Sequence, residues 1–124
     1  MRKLVEEWME DLSTRDAFLF RIRCGSCARV YSSRPIRFSK AGVIPASAEK
    51  QLLFGVIYDQ EHRTAHSGAV RSMTEHFNLC PICRRLVCNR CFLICEDLDM
   101  CAGCAALLKE PGVPVLSESM ELTE

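Results

Sequence analysis

The chain has 124 residues, a formal net charge of zero and nine cysteines, which bounds it to one domain, or one domain with tails. Hydrophobic residues make up 48%, but that figure counts all nine cysteines, so the aliphatic core is modest and a staple such as metal is expected. No run approaches the roughly eighteen apolar residues of a membrane span. Met1-Arg2-Lys3 leads into Glu6, Glu7, Glu10 and Asp11 without the apolar run of a signal peptide. The expected setting is therefore reducing and cytoplasmic, where C-x-x-C pairs read as metal ligands or redox sites rather than structural disulfides.

Leu4, Val5, Trp8, Met9 and Leu12 recur at spacings of three and four, which predicts an amphipathic helix over 2–12 with Trp8 packed on the metal core. Ser13-Thr14 ends that pattern. From Ala17 to Arg23, Phe18, Phe20 and Ile22 alternate with Leu19, Arg21 and Arg23, as in a strand. Ala28–Ser33 is its return strand, and Pro35–Pro45 is an irregular or short-stranded link. Ser47 can cap a helix, although Lys50 stands where a capping-box acid would be. Helical spacing then runs from Leu52 to Phe77. A helix of about 47–77 is roughly 46 Å long, too long for a chain with a radius of gyration of about 14 Å to cover. It is expected to break, project or pack against a partner, with Ser67-Gly68 as the break. A strand over Leu52–Tyr58 is the rival reading. Ala105–Lys109 is a last helical turn, and 111–124 reads as an acidic disordered tail after a single zinc-binding domain of residues 1–110.

The chemistry lies in Cys80-Pro81-Ile82-Cys83, Cys88-Asn89-Arg90-Cys91 and Cys101-Ala102-Gly103-Cys104, together with Cys24-Gly25-Ser26-Cys27 far upstream. Each pair presents two sulfurs on one tight turn, as tetrahedral zinc requires. Eight sulfurs make two closed four-cysteine sites, hence two Zn2+ per chain with no open position for a catalytic water. Iron–sulfur is the competitor, but the ferredoxin run of cysteines is absent. Spacing alone leaves two pairings open. Sequential pairing joins Cys24/Cys27 to Cys80/Cys83 and Cys88/Cys91 to Cys101/Cys104. A cross-brace joins Cys24/Cys27 to Cys88/Cys91 and Cys80/Cys83 to Cys101/Cys104. Cys95 falls on none of these turns and reads as a small buried hydrophobe beside Phe92 and Ile94.

The run Cys80-x2-Cys83-x4-Cys88-x2-Cys91, with Cys101-x2-Cys104 entering a helix, resembles the second half of a FYVE-type treble-clef double zinc finger. The resemblance covers residues 80–108 plus Cys24/Cys27 and implies the cross-brace. Two departures stand out. The gap from Cys27 to Cys80 is 52 residues. Thr74-Glu75-His76-Phe77-Asn78-Leu79 occupies the place of the basic phosphoinositide-binding stretch, so lipid recognition is not carried over. The same knuckles are similar to small bacterial zinc-ribbon proteins without assigned activity. They are also similar to RING fingers, whose histidine ligand is lacking here, so no ubiquitin-ligase role follows. The fold class expected is a small α+β zinc-stabilised domain with treble-clef or zinc-ribbon knuckles, short β-hairpins and one long helix.

His62 and His66 are four apart with Glu61 adjacent, but they lack a third ligand and the H-E-x-x-H order, so they read as a solvated helix face. His76 reads as a packing or hydrogen-bonding residue. No catalytic motif or phosphate loop appears, and no small-molecule substrate is inferred. The first functional reading is a non-enzymatic zinc-binding adaptor or regulatory protein. It would mediate protein–protein interaction, or self-association, through the helix of 47–77. The alternative is a nucleic-acid-binding zinc ribbon. Residues 15–40 carry seven basic groups against Asp16 alone, interleaved with Phe18, Phe20, Tyr31 and Phe38. Its contact residues would be Arg21, Arg23, Arg29, Arg34, Arg37, Arg84 and Arg85. A metal- or redox-sensing role for Cys95 or the His62/His66 pair is the third and weakest reading.

Overall fold

The apolar spacing at the start of the chain does form a helix, but a shorter one than its pattern predicts. In the computed structural model, which describes residues 1–115, α1 spans Arg2–Trp8 and Met9 leaves it in an extended conformation. Val5 is fully buried and Met9 packs on the core, whereas Trp8 is 56% exposed, so the expected packing of Trp8 on the metal core is corrected. The chain extends because Glu10–Asp11 (β1) pairs antiparallel with β3 (Phe20–Arg23), where Arg21 Nη2 meets Glu10 Oε2 at 3.1 Å. Backbone groups committed to a neighbouring strand cannot also continue a helix.

Phe18, Phe20 and Ile22 are buried, as their alternation predicts. The strand is interrupted at Leu19 because its halves serve different sheets. β2 (Ala17–Phe18) pairs with β5 (Ile36–Arg37), the one strand within the Pro35–Pro45 link. β3 is the centre of a sheet in the order β1-β3-β4, with β4 at Val30–Ser32.

α2 runs unbroken over Ala48–His76, 29 residues and about 44 Å. Its start is capped by Ser47, whose Oγ accepts from Lys50 N at 3.1 Å. The break expected at Ser67-Gly68 does not occur. Glycine there costs about 1 kcal/mol, and burial of Ala65, Ala69, Val70 and Met73 on the same stretch outweighs it. The earlier half buries little: Leu52, Leu53 and Val56 are exposed.

α2 passes directly into β6 (Phe77–Leu79), which forms a hairpin with β7 (Leu86–Cys88). β8 (Phe92–Cys95) lies between β9 (Met100–Cys101) and β10 (Gly112–Pro114). α3 (Ala102–Leu108) starts three residues before the expected turn, capped by Cys101, and Lys109 closes it in a left-handed conformation (φ 56°). The chain beyond Glu110 is not a tail from residue 111 as expected. Gly112 pairs with Cys95 and Pro114 with Leu93. A Cβ on Gly112 would lie 2.8 Å from Cys95 Sγ and 2.9 Å from Leu93 Cβ, so the pairing needs glycine there. The rest of the expected tail, 116–124, lies outside the described residues. The fold is a small α+β one of three helices and short antiparallel sheets among the described residues.

An unbroken α2 carries a testable consequence. A Cβ on Gly68 would meet nothing within 4 Å. Gly68→Ala should therefore raise stability, by up to about 1 kcal/mol, read as a higher midpoint in thermal unfolding followed by circular dichroism. A lowered midpoint would show that the helix is not continuous at this position.

Candidate metal centres

Two loops of the same construction present the first two cysteine pairs. In Cys24–Arg29, Cys24 N–H donates to Arg29 O (2.9 Å) and Ala28 N–H to Cys24 O (3.1 Å). In Cys80–Arg85, Cys80 N–H donates to Arg85 O (3.0 Å) and Arg84 N–H to Cys80 O (2.9 Å). The residue after each second cysteine takes a left-handed conformation, Ala28 at φ 62° and Arg84 at φ 63°. Each loop joins two paired strands, β3 to β4 and β6 to β7, so the hairpin ladders fix where the sulfurs point. The third pair lies on the turn between β7 and β8, where Cys91 N–H donates to Cys88 O at 2.9 Å. The fourth opens α3: Cys101 is the N-cap, and its Sγ accepts from Cys104 N at 3.4 Å.

These four turns converge as a cross-brace. Site 1 gathers Cys24, Cys27, Cys88 and Cys91, and site 2 gathers Cys80, Cys83, Cys101 and Cys104, with the sulfurs of each set within 4.8 Å of one another. Sequential pairing is thereby excluded, and the arrangement implied by the resemblance is the one present. The spacing fits a single central ion. Zinc–sulfur bonds of about 2.3 Å in a tetrahedron place the sulfurs about 3.8 Å apart. Cys27 and Cys88 stand at 3.9 Å, Cys80 and Cys104 at 3.8 Å, and Cys83 and Cys101 at 3.7 Å. Each set can hold one metal ion, and a multi-iron cluster would need more room between the sulfurs.

The surroundings favour thiolate at Cys24, Cys80 and Cys83. Cys24 Sγ accepts from the N–H groups of Ser26, Cys27 and Cys88 at 3.3–3.4 Å, and Cys80 Sγ accepts from Cys101 N at 3.4 Å. The Cys88 side chain, with backbone donors behind it, brings Cys24 down to about 4. Burial pushes Cys80 up, but the N–H groups of Cys83, Cys101 and Ile82 outweigh it and hold that thiol below its ordinary range. Arg85 brings Cys83 down to about 6, chiefly by a hydrogen bond from Nε at 3.3 Å. The partners move the other way. Cys88 is raised by its hydrogen bond to Cys24 and by burial, Cys91 goes to about 11 by burial, and Cys104 to about 12 by burial. Four sulfurs this close cannot all carry charge by themselves, and a divalent cation at the centre removes that conflict.

Asn89 is a structural residue that sequence reasoning missed. Its side chain donates to Glu75 O at 3.1 Å, and its backbone N–H to His76 O at 3.0 Å, satisfying the last carbonyls of α2. Its Oδ1 accepts from Asn78 Nδ2 at 2.6 Å. The end of α2 is thereby tied to the Cys88–Cys91 turn. An asparagine between two ligands was the available signal.

Other candidates disperse. Cys95 lies outside both sets, half-buried at the end of β8, with its N–H on Asp99 Oδ1 at 2.9 Å. His62 and His66 are not on a solvated face. His62 Nε2 meets Asp11 Oδ2 at 2.8 Å and its ring stacks on Tyr58, while His66 is edge-on to Phe20. Burial tends to raise the Asp11 carboxyl, but hydrogen bonds from Ser13 and His62 bring it below its ordinary range. His76 Nδ1 bonds Ser72 O at 2.8 Å, the hydrogen-bonding role among the two expected of it. The seven arginines do not form one set. Arg21 pairs with Glu10, Arg23 and Arg37 donate to the carbonyls of Ala28 and Ala41, and Arg34 lines a cleft between α2 and residues 32–36. Arg29 is engaged, Arg84 shapes a knuckle, and Arg85 reaches the sulfurs of site 2. Phe18, Phe20 and Phe38 are core residues.

Compared with known proteins, the chain matches no family model, no curated protein and no solved structure.

Serine at any of the eight clustered cysteines should cost one bound ion or collapse its knuckle, because one lost thiolate opens a closed shell. Cys95→Ser should keep both ions. Metal stoichiometry by elemental analysis across the nine variants checks this. Loss of an ion in Cys95→Ser, with retention in any of the other eight, would put Cys95 in the metal shell.

Proposed function

We propose that this chain is a non-enzymatic, zinc-stabilised adaptor or regulatory module that binds protein through the first half of α2. Both metals are structural zinc. An all-thiolate tetrahedral set suits that ion, leaves no coordination position for water, and supplies folding energy in a domain with a small core. A reducing compartment such as the cytoplasm suits nine unpaired thiols, and no helix among the described residues is long and apolar enough to cross a membrane. The treble-clef reading is supported in site 2, where two ligands come from a hairpin knuckle and two from the first turn of the following helix.

The observation that carries the protein-binding reading is the exposed apolar face of α2. Leu52 is 75% exposed and Val56 50%, Leu53 is exposed beside them, and Ile44 on the approach to the helix is 89% exposed. The simplest occupant is a second copy. Glu49 and Arg63 lie seven residues on either side of Val56, two helical turns, and both are exposed. An antiparallel α2 pair centred on Val56 would set the Glu49 of each copy against the Arg63 of the other. The nucleic-acid reading is weaker, since its aromatics lie in the core and most of its arginines are engaged within the protein.

Elemental analysis should find two zinc ions per chain, and chelation under reducing conditions should abolish cooperative unfolding of residues 80–108. Iron in place of zinc, or cooperative unfolding retained by metal-free protein, overturns the structural-zinc reading.

Sedimentation across a concentration series should show a mass that rises above one chain. Glu49→Arg or Arg63→Glu alone should weaken this association at least about tenfold through like-charge contact, and the two together should restore it. A single-chain mass at all concentrations, or steep salt-dependent oligonucleotide binding in its place, counts against self-association through α2.

A further inference from the structure

Arg85 bonds sulfurs of site 2 and the backbone of the Cys24–Cys27 turn that carries two cysteines of site 1. Its Nε donates to Cys83 Sγ at 3.3 Å, and its Nη2 stands 3.9 Å from Cys101 Sγ, both in site 2. Its Nη1 donates to the carbonyl of Gly25 at 3.1 Å, inside the Cys24–Cys27 turn of site 1. The backbone adds a second link at the same place, where Gly25 N–H donates to Leu86 O at 2.9 Å. Two glycines make room for this contact. A Cβ on Gly103, in the first turn of α3, would lie 3.3 Å from Arg85 Nη2. A Cβ on Gly25 would lie 3.0 Å from Leu86 O and 3.3 Å from Arg85 Cβ. Each glycine occupies a middle position of a C-x-x-C turn, one in each set.

We infer that Arg85 couples the two sites, so that the two ions load and leave together. The inference rests on the reading that both sets hold a metal ion. An ion in site 2 would fix the sulfurs of Cys83 and Cys101 and hold them deprotonated, as acceptors that orient the guanidinium by charge-assisted hydrogen bonds. Held there, Nη1 reaches Gly25 O and keeps the site 1 turn in its liganding shape. Thermodynamic linkage makes the effect reciprocal, so an ion in site 1 supports site 2 by the same factor. Arginine suits this role because its rigid fork directs separate N–H groups to three acceptors, whereas lysine offers one compact charge on a flexible stem.

The test is native mass spectrometry of zinc-loaded protein during a chelator titration. The wild-type chain should pass from two ions to none with the one-ion form always minor. In Arg85→Ala the one-ion form should become the major species midway, as coupling of the usual 5–150-fold (about that range for linked sites) is lost. Arg85→Lys should behave like Arg85→Ala, because it keeps the charge but not the bridge. Arg71→Ala, which removes an exposed arginine of α2 outside both sets, should behave like wild type. Arg85→Lys keeps the stem and the charge and decides the matter if Arg85→Ala does not fold. A major one-ion form in the wild-type titration overturns the coupling, as does two-to-none release by Arg85→Ala, or by Arg85→Lys. A wild-type chain that binds no zinc at all overturns instead the metal reading beneath it.

Discussion

Closure of two sulfur tetrahedra from segments far apart in the chain is the constraint on which the rest of the structure depends. Cys27 and Cys88 meet 61 residues apart in sequence, while Cys83 and Cys101 meet across 18. Closing the longer loop is only slightly more costly than closing the shorter, because the entropy grows with the logarithm of length. What lies inside the longer loop must still begin and end at neighbouring points. The long α2 meets that demand by leaving the core at one end and returning into β6 at the other. Asn89 secures the return by binding the last carbonyls of the helix within a turn that also carries two ligands.

α2 is therefore two helices energetically. From Ala65 onward it is a core element, packed by Ala65, Ala69, Val70 and Met73. Its middle is stitched by polar contacts to the early part of the chain. Tyr58 OH donates to Thr14 O at 2.8 Å, His62 meets Asp11, and both Glu61 oxygens accept from Ser39. Before Tyr58, Ile57 packs on the core and Lys40 Nζ stands 5.8 Å from the Phe54 ring centre, while Leu52, Leu53 and Val56 stay exposed. A helix that long persists because each added turn gains backbone hydrogen bonds once nucleated, and the surplus leaves an apolar face in water.

The segregated charge has a structural use that its total of zero conceals. Arginines of the basic stretch donate to carbonyls and a carboxylate near them, and Arg85 donates to sulfurs. Guanidinium groups are well suited to such places, since they stay charged and offer several directed donors. A basic run read linearly looks like a surface for phosphates, but in three dimensions much of it holds knuckles and strand ends in place.

The sequence alone determined the eight paired cysteines that cluster, the alternating core strand of Phe18, Phe20 and Ile22 and the Ser47 cap, because these depend on local spacing and side-chain chemistry. It also carried the long helix, whose periodicity is local. Only the tertiary structure decided which cysteine pairs come together, since both pairings satisfy the same spacings and the hairpin ladders choose between them. The early stop of α1 was likewise invisible, because a distant strand, β3, captures Glu10–Asp11. The continuity through Gly68 depended on burial of its neighbours. The strand at Gly112–Pro114 depended on Cys95 and Leu93 leaving space for a residue without a side chain. The place of Arg85 was illegible for the same reason. Its three acceptors belong to Cys83, Cys101 and Gly25, and only the folded chain brings those within reach of one guanidinium.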